Sequence, residues 1–160
     1  MNRLDLFKDK KILITGHTGF KGSWLTIWLK NLGGKILGIS LRPQTIPSNY
    51  YDCEISKNIK TVFINIQNKK KLEKIVNSFK PDFVFHLAAQ SIVLKSFNEP
   101  INTWNTNLIG TMNLLESLKK LGKKCAVVLV TSDKCYKNVG SKKGYKETDR
   151  LGGDDPYSAS

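Results

Sequence analysis

With 160 residues, 40% of them hydrophobic, the chain is long enough to build one domain with its own core and short for two. Its three cysteines are an odd number and include no Cys-x-x-Cys pair, and there are only two histidines. These residues therefore predict neither a disulfide framework nor a metal site. The net charge of +13 comes almost entirely from scattered lysines, which favours a solvated surface over a nucleic-acid-binding face.

The sequence contains no apolar run that approaches the roughly 20 residues of a membrane span. The first residues also lack the apolar segment of a secretory signal. We therefore expect a cytoplasmic protein with no membrane partner.

Short apolar runs alternate with longer amphipathic segments, a pattern typical of α/β proteins with a doubly wound parallel sheet. The pattern predicts strands at 11–15, 35–40, 61–64, 83–87 and 126–130, and helices at 21–31, after Asn68 and at 101–121. The polar segment 43–60 is predicted to be a loop. We expect a Rossmann-like sheet in the order 3-2-1-4-5 that stops after the fifth strand, with an open edge where a further strand is missing.

Apolar side chains within these elements carry further expectations. Trp24 and Trp28 lie four residues apart on the first helix and are expected to be core or interface anchors. The almost wholly apolar fifth strand is expected to be central in its sheet. One stripe of the long helix is expected to pack on the sheet, through Trp104, Leu108, Thr111, Leu115 and Leu118.

Three glycines, Gly16, Gly19 and Gly22, lie between the first strand and the first helix. Glycines at such a junction allow a tight turn and a close approach of the backbone to a ligand, and the helix N-terminus offers free N–H groups to an anion. This arrangement predicts a cradle for the pyrophosphate of a dinucleotide. The spacing is G-x-x-G-x-x-G rather than G-x-G-x-x-G, so taken alone it also fits a turn that binds nothing.

The residues after the second strand leave the identity of the dinucleotide open. NAD-binding folds place an acidic residue here to hold the ribose hydroxyls, whereas this chain has Ser40-Leu41-Arg42. Arg42 suits the 2′-phosphate of NADP, and it equally suits an exposed loop position.

Polar residues also follow the fifth strand, where parallel α/β sheets place their ligands: Thr131-Ser132-Asp133-Lys134. In isolation this stretch fits an ordinary polar turn. About 25 residues further on, Tyr157 follows a turn at the start of a helix and is positioned to face the same site.

The motifs at 15–24, 86–91, 105–111, 131–136 and 156–160 together resemble the extended short-chain dehydrogenase/reductases. Within that superfamily they are most similar to the nucleotide-sugar 4,6-dehydratases that act on CDP-glucose. The resemblance implies NAD as the cofactor and a nucleotide sugar as the substrate. It also implies a homodimer formed through the long helices.

Carried over to this chain, the resemblance implies a set of cofactor-binding residues. Asn65 stands where related enzymes commonly have an aspartate, and its side-chain carbonyl is expected to accept from the adenine amino group. The full set is Gly16, His17, Thr18, Gly19, Phe20, Lys21, Gly22, Ser40, Arg42, Asn65, Ile66, Leu87, Ala88, Ala89, Gln90, Asn107 and Thr131.

The resemblance also implies four catalytic residues for a lyase that oxidises C4, eliminates water across C5 and C6, and forms a 4-keto-6-deoxy sugar. Tyr157 would remove the proton of the 4-hydroxyl group, and Ser132 would hydrogen-bond the same oxygen. Lys134, uncharged at that moment, would take the C5 proton, while Asp133 would protonate the departing 6-hydroxyl.

By the same resemblance, residues 1–160 form an NAD-binding domain that is incomplete at its C-terminus, and the substrate domain is absent. The family's catalytic lysine follows the tyrosine by four residues, and this chain ends at Ser160, one residue before that position. We expect no useful dehydratase activity from the chain alone. An epimerase or reductase of the same superfamily and a non-catalytic nucleotide-binding fragment remain as alternatives.

Overall fold

The computed structural model describes residues 3–140 and 144–160 of the chain. Its centre is a five-stranded sheet in the order β3-β2-β1-β4-β5, and every neighbouring pair of strands is parallel. The predicted fold class and strand order are therefore confirmed. The strands are β1 (Lys11–Thr15), β2 (Lys35–Ser40), β3 (Lys60–Phe63), β4 (Phe83–His86) and β5 (Ala126–Leu129).

Eight α-helices accompany the sheet in the described ranges. They are α1 (Phe20–Asn31), α2 (Asn49–Asp52), α3 (Ile55–Asn58), α4 (Lys69–Phe79), α5 (Val93–Asn98), α6 (Pro100–Trp104), α7 (Gly110–Lys119) and α8 (Pro156–Ala159). A π-helical turn (Asn105–Ile109) joins α6 to α7, and short 3-10 turns lie at Arg3–Phe7 and Asp133–Cys135. Within these ranges, none of the helices has the length and apolar character needed to cross a bilayer.

The core lies on both faces of the sheet because successive side chains of a strand point to opposite faces. In β1, Leu13 packs towards α4 and α7, whereas Ile12 and Ile14 pack towards Leu29 of α1. All four side chains are almost fully buried. The strand that leads into the glycine loop is therefore held firmly from both sides.

Asn68 caps α4 as its residue type predicts. Its side-chain oxygen accepts a hydrogen bond from the backbone N–H of Lys71, at 3.1 Å. Leu72 and Val76 then face the core at helical spacing and are fully buried. The cap and the apolar stripe together fix the connection from β3 to β4.

The prediction of a loop over 43–60 is wrong in part, because α2 and α3 form there. Tyr50 and Ile55, one on each helix, are 2% and 3% exposed. The Tyr50 ring lies edge-on to the rings of His17 and Phe63. These contacts join residues distant in sequence, so a local pattern of polar and turn-forming residues does not reveal them.

The predicted helix at 101–121 is broken by the π-helical turn, and the predicted stripe is wrong for its first members. Trp104 and Leu108 are 38% and 40% exposed, although Leu118 does pack against the core. A π turn holds one residue more than an α turn, so it rotates the two helical segments relative to one another. The side chains that are buried instead include Thr103, Asn113, Leu114 and Ser117.

Two other expectations about apolar residues are met only in part. The strand β5 lies at the edge of the described sheet, as the predicted order 3-2-1-4-5 requires, so it is not central within this sheet, and Val128 is 47% exposed. Trp24 and Trp28 are more than half exposed on the outer side of α1, so neither belongs to the core. Their expected role as interface anchors stays a prediction.

Candidate active site

The glycine loop lies at the C-terminal end of β1, beside the end of β4. The Gly16 N–H donates to the carbonyl of Ile39, and the Gly16 carbonyl accepts from the N–H of Gly19. A Cβ atom at Gly16 would lie 2.7 Å from the backbone nitrogen of Ala88, and the φ angle of +75° disfavours any side chain there. Because the strand order reverses between β1 and β4, the loop borders the crevice where doubly wound folds bind their ligands.

Gly22 and Gly19 have different surroundings within this loop. A Cβ atom at Gly22 would overlap the carbonyl oxygen of Gly16, whereas one at Gly19 would be 3.4 Å from that oxygen. Gly19 precedes the first residue of α1 and provides no side-chain cap, so the first N–H groups of this twelve-residue helix lack a side-chain partner at the cap position. Phe20 and Lys21 are exposed at the helix start. The cradle therefore fits a phosphate group that approaches the backbone closely.

Thr18 and Ser40 connect the loop to the end of β2. The Thr18 hydroxyl donates to the carbonyl of Leu41 and lies 2.7 Å from the Ser40 hydroxyl. Because Thr18 has a single hydroxyl proton, Ser40 is the donor in this pair. The Ser40 oxygen thus keeps only acceptor capacity, as a carboxylate would at this position.

Arg42 lies at the same edge of the sheet, with its guanidinium carbon 4.5 Å from the centre of the Phe63 ring. This cation–π contact holds the arginine over β3. A 2′-phosphate at the end of β2 would compete with the Phe63 ring for the guanidinium group.

Asn65 and Ile66 follow β3 and differ in what they present. The Asn65 side-chain oxygen accepts from the N–H of Gln67 at 2.9 Å, so one of its two acceptor positions is already used within the chain. The Ile66 side chain is 4% exposed and packs where a Cβ of Gly110 would stand. Ile66 is therefore able to meet a ligand through its backbone only.

Gln90 and Asn107 bind one another reciprocally at the end of β4. The Gln90 N–H donates to the Asn107 side-chain oxygen at 2.8 Å, and the Asn107 side-chain nitrogen donates to the Gln90 carbonyl at 3.1 Å. These bonds hold the segment 87–90 beside the π-helical turn that contains Asn107. Leu87 and Ala88 in this segment are half-buried, and Ala89 is exposed.

The residues after β5 form the 3-10 turn Asp133–Cys135 rather than continuing the strand. The Ser132 hydroxyl accepts from the N–H of Lys134 and donates to the Asp133 carboxylate, each at 3.2 Å. Thr131 is exposed at the strand end. The turn displays the carboxylate of Asp133 and the amine of Lys134 side by side on the surface.

The helix α8 packs beside this turn and carries Tyr157. Asp155 caps the helix by accepting from the N–H groups of Tyr157 and Ser158. The pKa of Asp155 is held below its usual value, chiefly because its carboxylate accepts from the Ser158 hydroxyl. The two N–H groups and the nearby Lys134 lower the pKa further. The cap fixes the direction in which α8 starts, and Tyr157 is half-buried there.

A cavity of about 240 Å³ separates the turn from α8. Asp133 and Lys134 line one side, and Asp155 and Ser158 line the other. Ser132 and Tyr157 do not line it. The structure thus brings two of the four predicted catalytic residues into one cavity and leaves the other two beside it.

Comparison with known proteins agrees with this geometry. The family model described as GDP-mannose 4,6 dehydratase matches residues 13–160. The chain belongs to this family. The expected resemblance to nucleotide-sugar 4,6-dehydratases is confirmed.

Relatives of this dehydratase-family chain include a CDP-glucose 4,6-dehydratase of Salmonella typhimurium, 42% identical over 98% of the chain and 44% of the relative. A UDP-glucose 4-epimerase of Thermotoga maritima, solved with UDP-glucose, superposes with a TM-score of 0.81 and 28% identity over 92% of the chain and 46% of the epimerase. The Thermus thermophilus UDP-glucose 4-epimerase, solved with NAD, superposes with a TM-score of 0.80 and 26% identity over 92% of the chain and 46% of the epimerase. The chain therefore spans less than half the length of these relatives.

In this dehydratase-family chain, the His17 side chain packs between the glycine loop and strand β2. It is fully buried, with Nε2 3.1 Å from the Thr61 hydroxyl, and burial lowers its pKa to about 4. A Cβ atom at Gly38 would lie 2.5 Å from the His17 ring. The side chain thus fills a space that β2 leaves open, and it has no exposed surface with which to contact a ligand.

Sequence reasoning did not single out Gly38, Tyr50 or Thr61, which surround His17. The Tyr50 hydroxyl bonds that of Thr61, and the Tyr50 ring packs edge-on to His17. One signal was present in the sequence: a glycine within an apolar strand often marks a close approach of another group. The contacts of Tyr50 and Thr61 had no such signal.

Proposed function

We propose that residues 1–160 form the NAD-binding domain of a CDP-glucose 4,6-dehydratase, a lyase of deoxysugar biosynthesis that works in the cytoplasm. The observation that carries this proposal is the placement of Asp133 and Lys134 on the cavity beside α8. An acid and a base side by side suit an elimination that protonates one carbon's hydroxyl and deprotonates the next carbon. The 42% identity to a CDP-glucose 4,6-dehydratase supports the choice of sugar nucleotide.

The glycine loop fits a dinucleotide because the space around it has no room for side chains at Gly16 and Gly22. The proposed contacts are the N–H groups at the start of α1 for the pyrophosphate and the acceptor oxygen of Ser40 for a ribose hydroxyl. When bound, NAD would supply the acceptor for the C4 hydride and its return to C6. The Arg42–Phe63 contact supports NAD over NADP. The Phe63 ring already holds the guanidinium group, which would otherwise be the partner of a 2′-phosphate.

The proposed roles of the protein groups follow from their chemistry. Tyr157 removes the proton of the sugar 4-hydroxyl, and the Ser132 hydroxyl turns its proton from the Asp133 carboxylate to that oxygen. The 4-keto group acidifies C5, so Lys134 in its neutral form takes the C5 proton. Asp133 in its protonated form gives its proton to the 6-hydroxyl, which leaves as water.

A 4-epimerase is the second candidate, because two solved structures similar to the chain are UDP-glucose 4-epimerases. Inversion at C4 needs no acid and base for C5 and C6. The pair Asp133 and Lys134 on one cavity therefore favours the dehydratase.

Binding of NAD to the chain tests the first part of the proposal. In isothermal titration calorimetry we expect NAD to bind, with higher affinity than NADP. An Arg42→Ala variant is expected to keep the preference for NAD over NADP, because the guanidinium group is held over the Phe63 ring. Tighter binding of NADP than of NAD by the wild-type chain would contradict the assignment of the cofactor.

The reaction is tested with the protein expressed from the complete open reading frame and supplied with CDP-glucose. We expect a 4-keto-6-deoxy product, and we expect Asp133→Asn and Lys134→Met each to lower its rate of formation by roughly 10²- to 10⁴-fold. Product analysis by NMR separates the candidates. A C4 epimer that keeps its 6-hydroxyl would identify an epimerase.

We also propose a homodimer through the helices that lie at 100–119. The support is an apolar stripe on their outer side that is 38% to 75% exposed and consists of Ile101, Trp104, Leu108, Ile109 and Met112. Leu108→Lys is expected to convert a dimer into a monomer in sedimentation velocity runs. Asn31→Lys adds the same charge on the far side of the sheet and should leave the dimer intact; a wild-type monomer would refute the proposal.

A further inference from the structure

A chain of hydrogen bonds runs through His86 along the face of the sheet that α7 covers, and the number of available protons fixes the direction of every bond. The Thr111 hydroxyl donates its single proton to the backbone carbonyl of Asn107. The Nε2 atom of His86 lies 2.9 Å from the same hydroxyl oxygen. Thr111 therefore accepts in this second bond, and Nε2 of His86 carries the proton.

The other side of the ring follows from the neutral state of the imidazole. His86 is 4% exposed, and burial lowers its pKa to about 4, so Nδ1 has no proton at neutral pH. Nδ1 accepts from the Thr15 hydroxyl at 2.6 Å. The Thr15 oxygen in turn accepts from the N–H of Ala88 at 3.3 Å.

These bonds connect both sides of the proposed active site. At one end, Thr15 precedes the glycine loop, and Ala88 lies against Gly16. At the other end, the side chain of Asn107 donates to the hydroxyl of Ser160, which donates to the carbonyl of Tyr157. The path thus runs from the glycine loop to the helix that carries the proposed catalytic tyrosine.

We propose that His86, as the neutral tautomer with its proton on Nε2, is a positioning residue that holds the glycine loop and α8 in their relative places. In this series of hydrogen bonds every donor has an acceptor. Reversing one bond, such as that between Thr15 and His86, would leave a donor unsatisfied, so the series favours a single arrangement of its two ends. The role rests on the proposed NAD-dependent function. The tautomer itself does not depend on that function.

Nuclear magnetic resonance tests the tautomer on the ¹⁵N-labelled chain. The sequence has only two histidines, so a His17→Gln variant assigns their ring signals. For His86 we expect the ¹⁵N shift of an unprotonated nitrogen at Nδ1 and that of a protonated nitrogen at Nε2 at neutral pH. A proton on Nδ1 would overturn the proposal.

Affinity for NAD tests the positioning role. Thr111→Val keeps the shape of the side chain but removes the hydroxyl, and we expect roughly tenfold weaker binding of NAD. Thr111→Ser restores the hydroxyl and should bind within about twofold of the wild type. Ser117→Ala is the matched control, because it removes another buried hydroxyl that donates to a carbonyl four residues earlier in α7 but lies outside the path to His86.

The outcomes separate the two proposals. Weaker binding in Thr111→Val alone supports the positioning role, and equal binding in all variants overturns it. Should Thr111→Val fail to fold, Thr15→Val and its Thr15→Ser partner apply the same test at the other side of the ring. A wild-type chain that folds but binds no NAD would overturn the proposed function together with this role, while the tautomer measurement would still report on the hydrogen bonds.

Discussion

Replacing Gly22 with alanine is expected to lower the free energy of unfolding by about 3 kcal/mol and to abolish measurable binding of NAD. The added methyl group would lie 2.8 Å from the carbonyl carbon of Gly16 and overlap its oxygen. Gly16 is not free to retreat, because it is itself packed against the backbone of Ala88. Urea unfolding measures the loss of stability, and calorimetry measures the loss of binding.

Gly19→Ala is the matched control in the same loop. Its methyl group would lie at an ordinary 3.4 Å from the Gly16 oxygen, and the φ angle of −73° suits alanine. We expect the free energy of unfolding to change by less than about 0.5 kcal/mol, since no clash arises. Binding of NAD should still weaken, because the methyl group stands at the start of α1, where the pyrophosphate is proposed to lie. A Gly22→Ala variant as stable as the wild type would contradict the described packing.

Acidification is expected to destabilise the fold between pH 6.5 and 4. The pKa values of His17 and His86 are lowered from 6.5 to about 4 by burial. In this interval both histidines become protonated in the unfolded chain but stay neutral in the folded chain. The free energy of unfolding therefore falls as the pH falls. Linkage gives a loss of roughly 3 kcal/mol for each histidine at pH 4.

Urea unfolding at a series of pH values checks this expectation. The pKa of Asp82 is held below its usual value, chiefly by its hydrogen bond with Lys123, so this carboxylate contributes stability that is lost at lower pH than the histidine effect. A His17→Asn variant should show about half of the wild-type pH dependence above pH 4. Stability that stays constant from pH 6.5 to 4.5 would contradict the burial of the two imidazoles.

The parts of the fold that sequence reasoning found are those set by local pattern. The bounds of β1 and β2 agree with prediction because each is a short apolar run followed by a polar or glycine-rich turn. The parts that it missed depend on distant partners. Tyr50 is buried by His17 and Phe63, and the π turn lies where Asn107 reaches back to Gln90.

The position of β5 shows a different limit. Its apolar side chains predicted a central strand, whereas the predicted order 3-2-1-4-5 already placed it at an edge, and it lies there with Val128 and Leu129 partly exposed. Composition reports how much apolar surface a strand carries. It does not report which neighbours the chain provides to cover that surface.

For the candidate site, residue types pointed to the ends of β1, β4 and β5 but not to how the groups there bond, and only Asp133 and Lys134 of the four predicted catalytic residues share one cavity. The glycines predicted the tight turn, because no residue with a Cβ atom fits at Gly16 or Gly22. The sequence did not show that the Ser40 proton is given to Thr18 or that Asn65 uses an acceptor position within the chain. Such details depend on single protons, and the spacing of residues carries no information about them.

The contact between His17 and Gly38 couples what each of these two positions can hold. The imidazole occupies the volume in which a Cβ atom of residue 38 would lie, at 2.5 Å. A lineage that acquires alanine at position 38 while it keeps the histidine passes through an overpacked intermediate. The order of substitution is therefore constrained: the ring at position 17 has to shrink first, and only then does β2 become free to gain a side chain beneath the glycine loop.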